Sequence, residues 1–229
     1  MSNNRKTVVV LENFWSNEPM SVNKDLSVQP FIDGVCRLHN YDYFYGRHVG
    51  PKGFDEWVEN FSRVLSDKDR RVILYLAGHG SKRTLSGKKI LTVLERIWSS
   101  SNEINIEGCI LGACYAGRNT KDIKDLLENS SVAWVVGYKH AVDWLPSTLL
   151  DSSVIGHLLK KNDLFLSNGE KIASALREAV SLFNPKAEIS EDKGNLFNLF
   201  DTLSCVIRPR FDCAEASEIR LFDECKDAN

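Results

Sequence analysis

Two reactive side chains stand out by their setting. His79 lies in the stretch Arg71-Val72-Ile73-Leu74-Tyr75-Leu76-Ala77-Gly78-His79-Gly80-Ser81. Cys114 lies in Ile106-Glu107-Gly108-Cys109-Ile110-Leu111-Gly112-Ala113-Cys114-Tyr115-Ala116-Gly117. Each follows an apolar run rich in Val, Ile and Leu, as expected of a strand buried on both faces of a parallel sheet. In an open α/β sheet the ligand crevice lies beyond the carboxyl ends of the strands, which is where both residues fall. A free thiol is mostly protonated at neutral pH. A neighbouring imidazole can take its proton, hold the thiolate as an ion pair, and later protonate a leaving amine. Gly78 and Gly80 flank His79 and open backbone conformations closed to other residues. The N–H groups of Gly80 and Cys114 form a candidate oxyanion hole, and Gly112 and Ala113 keep the approach to Cys114 clear. Alone, either residue has a bland reading, since Cys is among the most buried residue types. Delivery of both to one sheet edge points to a base and a nucleophile.

The elements that would position them follow from periodicity. Thr7 to Leu11 reads as a buried strand, Trp15 to Gln29 as a loop, Pro30 to His39 as a helix and Tyr41 to Val49 as a second strand. Phe54, Trp57, Val58, Phe61, Val64 and Leu65 form the stripe of an amphipathic helix. After the His-bearing strand come a polar loop, Ser81 to Gly87, and a helix marked by Ile90, Leu91, Leu94, Ile97 and Trp98. A helix carrying Ile123, Leu126 and Leu127 follows the Cys-bearing strand, then a strand from Ser131 to Tyr138 and helices over 146–161 and 170–183. Residues 196–207 read as a short helix or strand, and Phe211 to Asn229 as a charged tail. Alternating strands and helices imply an α/β three-layer sandwich, with a mostly parallel central sheet and helices on both faces. A single domain over 1–229 is expected, with its core in 7–160 and a C-terminal segment, 185–229, that either completes the sheet or forms a partner surface.

Composition narrows the classes. Of 229 residues, 43% are apolar and 26% charged, with a formal net charge of −2. A sizeable core is therefore available, and a general binder of nucleic acid or anionic membrane is not expected. No stretch has the apolar length of a membrane span. The polar start, Met1 to Lys6, does not read as a secretory signal. Six cysteines in a chain of this length suggest no disulfide scaffold, so a cytoplasmic setting with reduced thiols is the expectation. Cys109 stands five residues before Cys114, at opposite strand parity, which argues against a bridge or shared metal between them. Cys36, Cys205, Cys213 and Cys225 lack metal-ligand spacing.

The pair "YLAGHGS" and "GCILGACYAG" resembles the caspase-like cysteine peptidases, and bacterial CHAT and caspase-like domains most. The likeness covers roughly residues 7–160. It implies the caspase-like fold, Cys114 as nucleophile and His79 as general acid/base, and peptide hydrolysis through a thioester. It implies no metal or organic cofactor. It also implies a protein or peptide substrate, an activating sensor protein or ligand, and an effector role in a bacterial antiviral-defence or stress-triggered system. The chain departs from caspases and metacaspases two residues before the cysteine, where Gly112 stands in place of Gln or an acidic residue. Asp143, just after the strand in Ala133-Trp134-Val135-Val136-Gly137-Tyr138-Lys139-His140-Ala141-Val142-Asp143-Trp144, matches the acidic pocket residue of CHAT and separase proteins.

On this resemblance Asp143 is expected to select Arg or Lys before the scissile bond, as a buried carboxylate complemented by a cationic side chain. The competing readings are a solvated loop carboxylate and a pair with Lys139. An Asp-selecting pocket built on Arg47, Lys139 or Arg83 stays open beside these. His140 lies in the same loop and is a candidate lining residue, whereas His39, His48 and His157 read as surface or satisfied polar groups. The pairs Lys82-Arg83, Lys88-Lys89 and Lys160-Lys161 read as solvated surface. Arg118-Asn119 and Lys121, in a loop after the nucleophile, form a candidate self-cleavage site. The alternative to a peptidase is a catalytically silent caspase-like binding or scaffold module.

Overall fold

β-Branched and leucine runs become the central strands. A computed structural model describes residues 6–14, 26–65, 70–192, 194–210 and 214–222. In chain order the elements are β1 (Lys6–Asn13), α1 (Gln29–His39), β2 (Asp42–His48), α2 (Gly50–Val64), β3 (Arg71–Ala77), β4 (Thr84–Leu85), β5 (Lys88–Lys89), α3 (Ile90–Ser101), β6 (Ile106–Gly112), α4 (Thr120–Glu128) and β7 (Trp134–Tyr138). There follow α5 (Trp144–Leu159), a 3-10 turn (Asp163–Ser167), α6 (Gly169–Val180), β8 (Glu188–Asp192), β9 (Asn195–Asn198), α7 (Leu199–Thr202), β10 (Leu203–Ile207) and β11 (Ser217–Glu218).

Seven strands form one sheet in the order β11-β10-β7-β6-β3-β1-β2. The five from β2 to β7 run parallel, and β10 and β11 close the edge antiparallel. Every residue of β3, β6 and β7 is buried, because helices cover both faces. One face packs against α1, α5 and α6 through Ile32, Cys36, Leu150, Val154, Ile172 and Leu176. The other packs against α2, α3 and α4 through Phe54, Phe61, Leu94, Ile97, Ile123 and Leu126. The layers are thus helix, sheet, helix. Among the described residues no helix is long and apolar enough to cross a membrane.

Three expectations need adjusting, and a fourth, left open between two outcomes, is decided. The Trp15 to Gln29 loop lies mostly outside the described residues, and Gln29 itself opens α1. The Ser81 to Gly87 loop holds β4 of a two-stranded hairpin with β5. Lys88 is not solvated surface, since its ammonium pairs with Asp55 and lies 5.3 Å from the Phe54 ring centre. The segment after residue 185 completes the sheet: Cys205 of β10 pairs with Val136 of β7, so the sheet does not end near residue 160. Cys213 and Cys225 lie outside the described residues.

The chain leaves β1 for β2 on one side and returns to β3 on the other. That reversal is the switch point where an open α/β sheet gathers its ligands beyond the strand ends. His79 follows β3, the strand that bounds it.

Candidate active site

The register of β3 on β6 sets the site. Ala77 pairs with Gly112 at the carboxyl ends of the two strands. His79 and Cys114 each stand two residues further on, so the parallel ladder brings both to the same level. A bond from the Gly78 N–H to the Gly112 carbonyl, 3.3 Å, extends the ladder past the last pair. Gly78 has φ +154°, and a Cβ there would lie 2.6 Å from Ser86 Oγ. Conformation and space therefore both exclude a side chain.

Gly80 rests on the backbone of Cys114. A Cβ on Gly80 would fall 2.0 Å from the Cys114 carbonyl oxygen and 2.9 Å from its nitrogen. The glycine after His79 is what lets the two loops touch. His79 is exposed and Cys114 half-buried, so both side chains reach solvent beside this contact. Gly80 faces Leu85 in an antiparallel bridge whose bonds run from Ser81 N–H to the Thr84 carbonyl and from Ser86 N–H to the His79 carbonyl. The Gly80 N–H takes no part in that bridge. In the turn after β6 the backbone N–H groups of Ala113, Tyr115, Ala116, Gly117 and Arg118 donate to backbone carbonyls. Among the described residues the Cys114 N–H makes no such backbone bond.

Cys114 opens a tight turn. Tyr115 has φ +61°, uncommon for a side-chain-bearing residue. The turn is pinned to β7 and the loop after it by Gly117 N–H to the Tyr138 carbonyl, 2.9 Å, and Tyr115 N–H to the His140 carbonyl, 3.0 Å. The Val142 N–H points at Cys114 Sγ, 3.4 Å away. The Val142 carbonyl lies 3.8 Å from the same sulfur, so Cys114 Sγ rests against the backbone of Val142. The Tyr115 hydroxyl donates to Asp192 on β8, and the His140 ring stacks on Phe197 of β9 with centres 3.8 Å apart. The β8–β9 hairpin therefore packs against the loops around the cysteine. Partial burial and the Arg118 charge lower the His140 pKa.

The other sequence-derived candidates divide. Asp143 is exposed at the N-cap of α5 and makes no side-chain cap, so the premise of a buried carboxylate does not hold. Its N–H donates to the Ile189 carbonyl, which keeps the residue beside the hairpin. Lys139 pairs with Glu218 at 2.8 Å. Arg47 lies 3.9 Å from the Phe14 ring centre and donates to the Leu26 carbonyl, and Arg83 is exposed. Gly112 is buried, and its open side holds the Tyr75 ring, 2.3 Å from where a Cβ would be. It makes room for a neighbour below the site rather than clearing an approach above it. Lys121 is in the first turn of α4, and Asn119 caps that helix through Asp122 N–H. Arg118 and Asn119 keep an exposed non-helical setting.

Cys36, Cys109, Cys114 and Cys205 are all free thiols. Burial pushes the Cys36 thiol up to about 12 and raises Cys109 and Cys205 further, so these three are poor nucleophiles. His48 is buried with Nδ1 3.0 Å from the Gly50 carbonyl, and His157 pairs with Glu178 at 2.9 Å. Sequence reasoning missed the Val142 donor, which carries no side-chain signal. It also missed Asp151, a lone carboxylate within the apolar run of α5.

No protein-family model matches the chain, and no curated protein matches it. Among solved structures the chain is similar to Raptor from Chaetomium thermophilum, at 14% identity and a TM-score of 0.41. The match covers 76% of this chain and 20% of that one. So low a likeness carries no argument about activity.

Proposed function

We propose that the chain is a cysteine endopeptidase of the caspase-like type, acting through a Cys114–His79 dyad. The observation that carries this reading is the Gly80–Cys114 backbone contact beyond the register-matched ends of β3 and β6. It sets a base-bearing loop against a nucleophile-bearing turn at the edge where such sheets bind ligands. In the proposed reaction His79 takes the Cys114 proton and Sγ attacks the scissile carbonyl. The Gly80 and Cys114 N–H groups receive the oxyanion. His79 then protonates the leaving amine, and water, activated by the same imidazole, hydrolyses the thioester.

Asp143 and the acidic β8 strand beside it favour a basic residue before the scissile bond. In this reading the exposed Asp143 acts on the substrate side chain at the protein surface. An intracellular effector role, triggered by a partner or ligand, is part of the same proposal and rests on the sequence resemblance alone.

The test is hydrolysis of a peptide library by the wild type, Cys114→Ala and His79→Ala, followed by mapping of cut sites in cells expressing wild type and Cys114→Ala. Cleavage by the wild type alone supports the reading. Equal turnover by all three, or none under any condition that leaves the protein folded, returns the chain to the scaffold alternative.

A further inference from the structure

A buried carboxylate lies between α5 and the central sheet. Asp151 of α5 is 1% exposed. Its carboxylate accepts from the Tyr75 hydroxyl at 2.9 Å and from the Tyr138 hydroxyl at 2.7 Å. Tyr75 is on β3 and Tyr138 on β7, the two strands that flank β6. The tyrosines therefore reach one carboxylate from either side of the strand that leads to Cys114. Gly112 leaves the room, since any Cβ there would meet the Tyr75 ring. Tyr138 stands one residue beyond the Leu111–Gly137 pair, level with Gly112.

Both ends of this arrangement lead to Cys114. The Tyr138 carbonyl accepts the Gly117 N–H of the nucleophile turn. On α5 itself, buried Thr148, three residues before Asp151, donates its hydroxyl to the Trp144 carbonyl at the start of the helix. Two residues before Trp144 is Val142, whose N–H meets Sγ. Asp151 lies seven residues, about 10 Å of helix, from Trp144, so fixing it on the strands fixes where α5 begins. Buried carboxylates are costly and persist when fully hydrogen-bonded.

We propose that Asp151, held by Tyr75 and Tyr138, is a positioning residue that sets the Val142 N–H against Cys114 Sγ. This rests on the reading of Cys114 as the nucleophile, but not on any substrate. Its readout is the rate at which iodoacetamide alkylates Cys114 in the full chain, followed by mass spectrometry of the Cys114 peptide. Tyr75→Phe and Asp151→Asn are expected to slow alkylation on the order of tenfold, below the roughly 10²-fold effect of a 1 Å misplacement. Leu176→Ala on α6, buried in the same core, serves as the control. It is expected to keep the wild-type rate at an equal loss of Tm. Should the single variants fail to fold, the apolar triple variant Tyr75→Phe/Tyr138→Phe/Asp151→Leu leaves no buried polar orphan and must show the same slowing. Wild-type rates in the clamp variants, or equal slowing in Leu176→Ala, overturn the proposal. Normal alkylation of a wild type that cuts no peptide sinks the peptidase reading and leaves the clamp intact.

Discussion

Replacing Gly80 by Ala is the sharpest perturbation of the site, because it adds one methyl group where two loops touch. The new Cβ would sit 2.0 Å from the Cys114 carbonyl oxygen. Ordinary contact between heavy atoms begins near ~3.5 Å, so the loops must part by about 1.5 Å. The obstacle is backbone on both sides, and no side chain can rotate away. A misplacement of about 1 Å between reacting groups costs on the order of 10²-fold in rate. The expected loss in kcat/KM is therefore at least ~100-fold, or about 2.7 kcal/mol of transition-state stabilisation. Overpacking should cost the fold about 1–3 kcal/mol, which a domain of ordinary stability survives. The assay pairs peptide hydrolysis with circular dichroism and thermal melting of Gly80→Ala. A folded variant with wild-type kcat/KM would refute the argument that this contact sets the dyad. Gly34→Ala is the control, since nothing lies within 4 Å of its Cβ position, and it should leave activity unchanged.

Other expectations concern charge. Asp143→Asn should lower kcat/KM for Arg and Lys peptides by roughly tenfold, exposure having screened the contact, and leave other peptides unaffected; an unchanged preference excludes Asp143 from recognition. Burial pushes the Asp151 carboxyl from its ordinary 3.8 up to about 7, so the folded chain keeps a proton that the unfolded chain releases. Its cost to stability is absent below about pH 4 and grows as pH rises towards 7. Melts of wild type and Asp151→Asn should therefore show the variant gaining relative stability between pH 4.5 and pH 7.5, and a constant gap would contradict this. At the opposite end of the sheet, Arg71 pairs with Glu107 with side chains 1% and 2% exposed. Glu107→Ala should cost about 3–5 kcal/mol in urea denaturation, whereas Arg71→Met/Glu107→Leu should cost far less. Equal losses in the single and double variants would show that the pair is not an uncompensated-charge problem.

Alternating apolar runs and helical stripes in the sequence were enough to yield the layered α/β architecture, because each signal is local. Seven buried residues in a row say that both faces of β3 are covered, whatever covers them. The same locality placed His79 and Cys114 just past strand ends. It could not supply the Ala77–Gly112 register, which depends on which strands pair and by how much they slide. Nor could it reveal the Gly80–Cys114 contact, the Val142 donor or the convergence of Tyr75 and Tyr138 on Asp151, each made between segments distant in the chain. Asp143 shows the limit from the other side: its position after β7 was readable, but its exposure is decided by how α5 and the β8–β9 hairpin pack. Residue type and order marked which groups are candidates for chemistry and which segments are strands. Long-range pairing, a tertiary property, decided which of those groups meet.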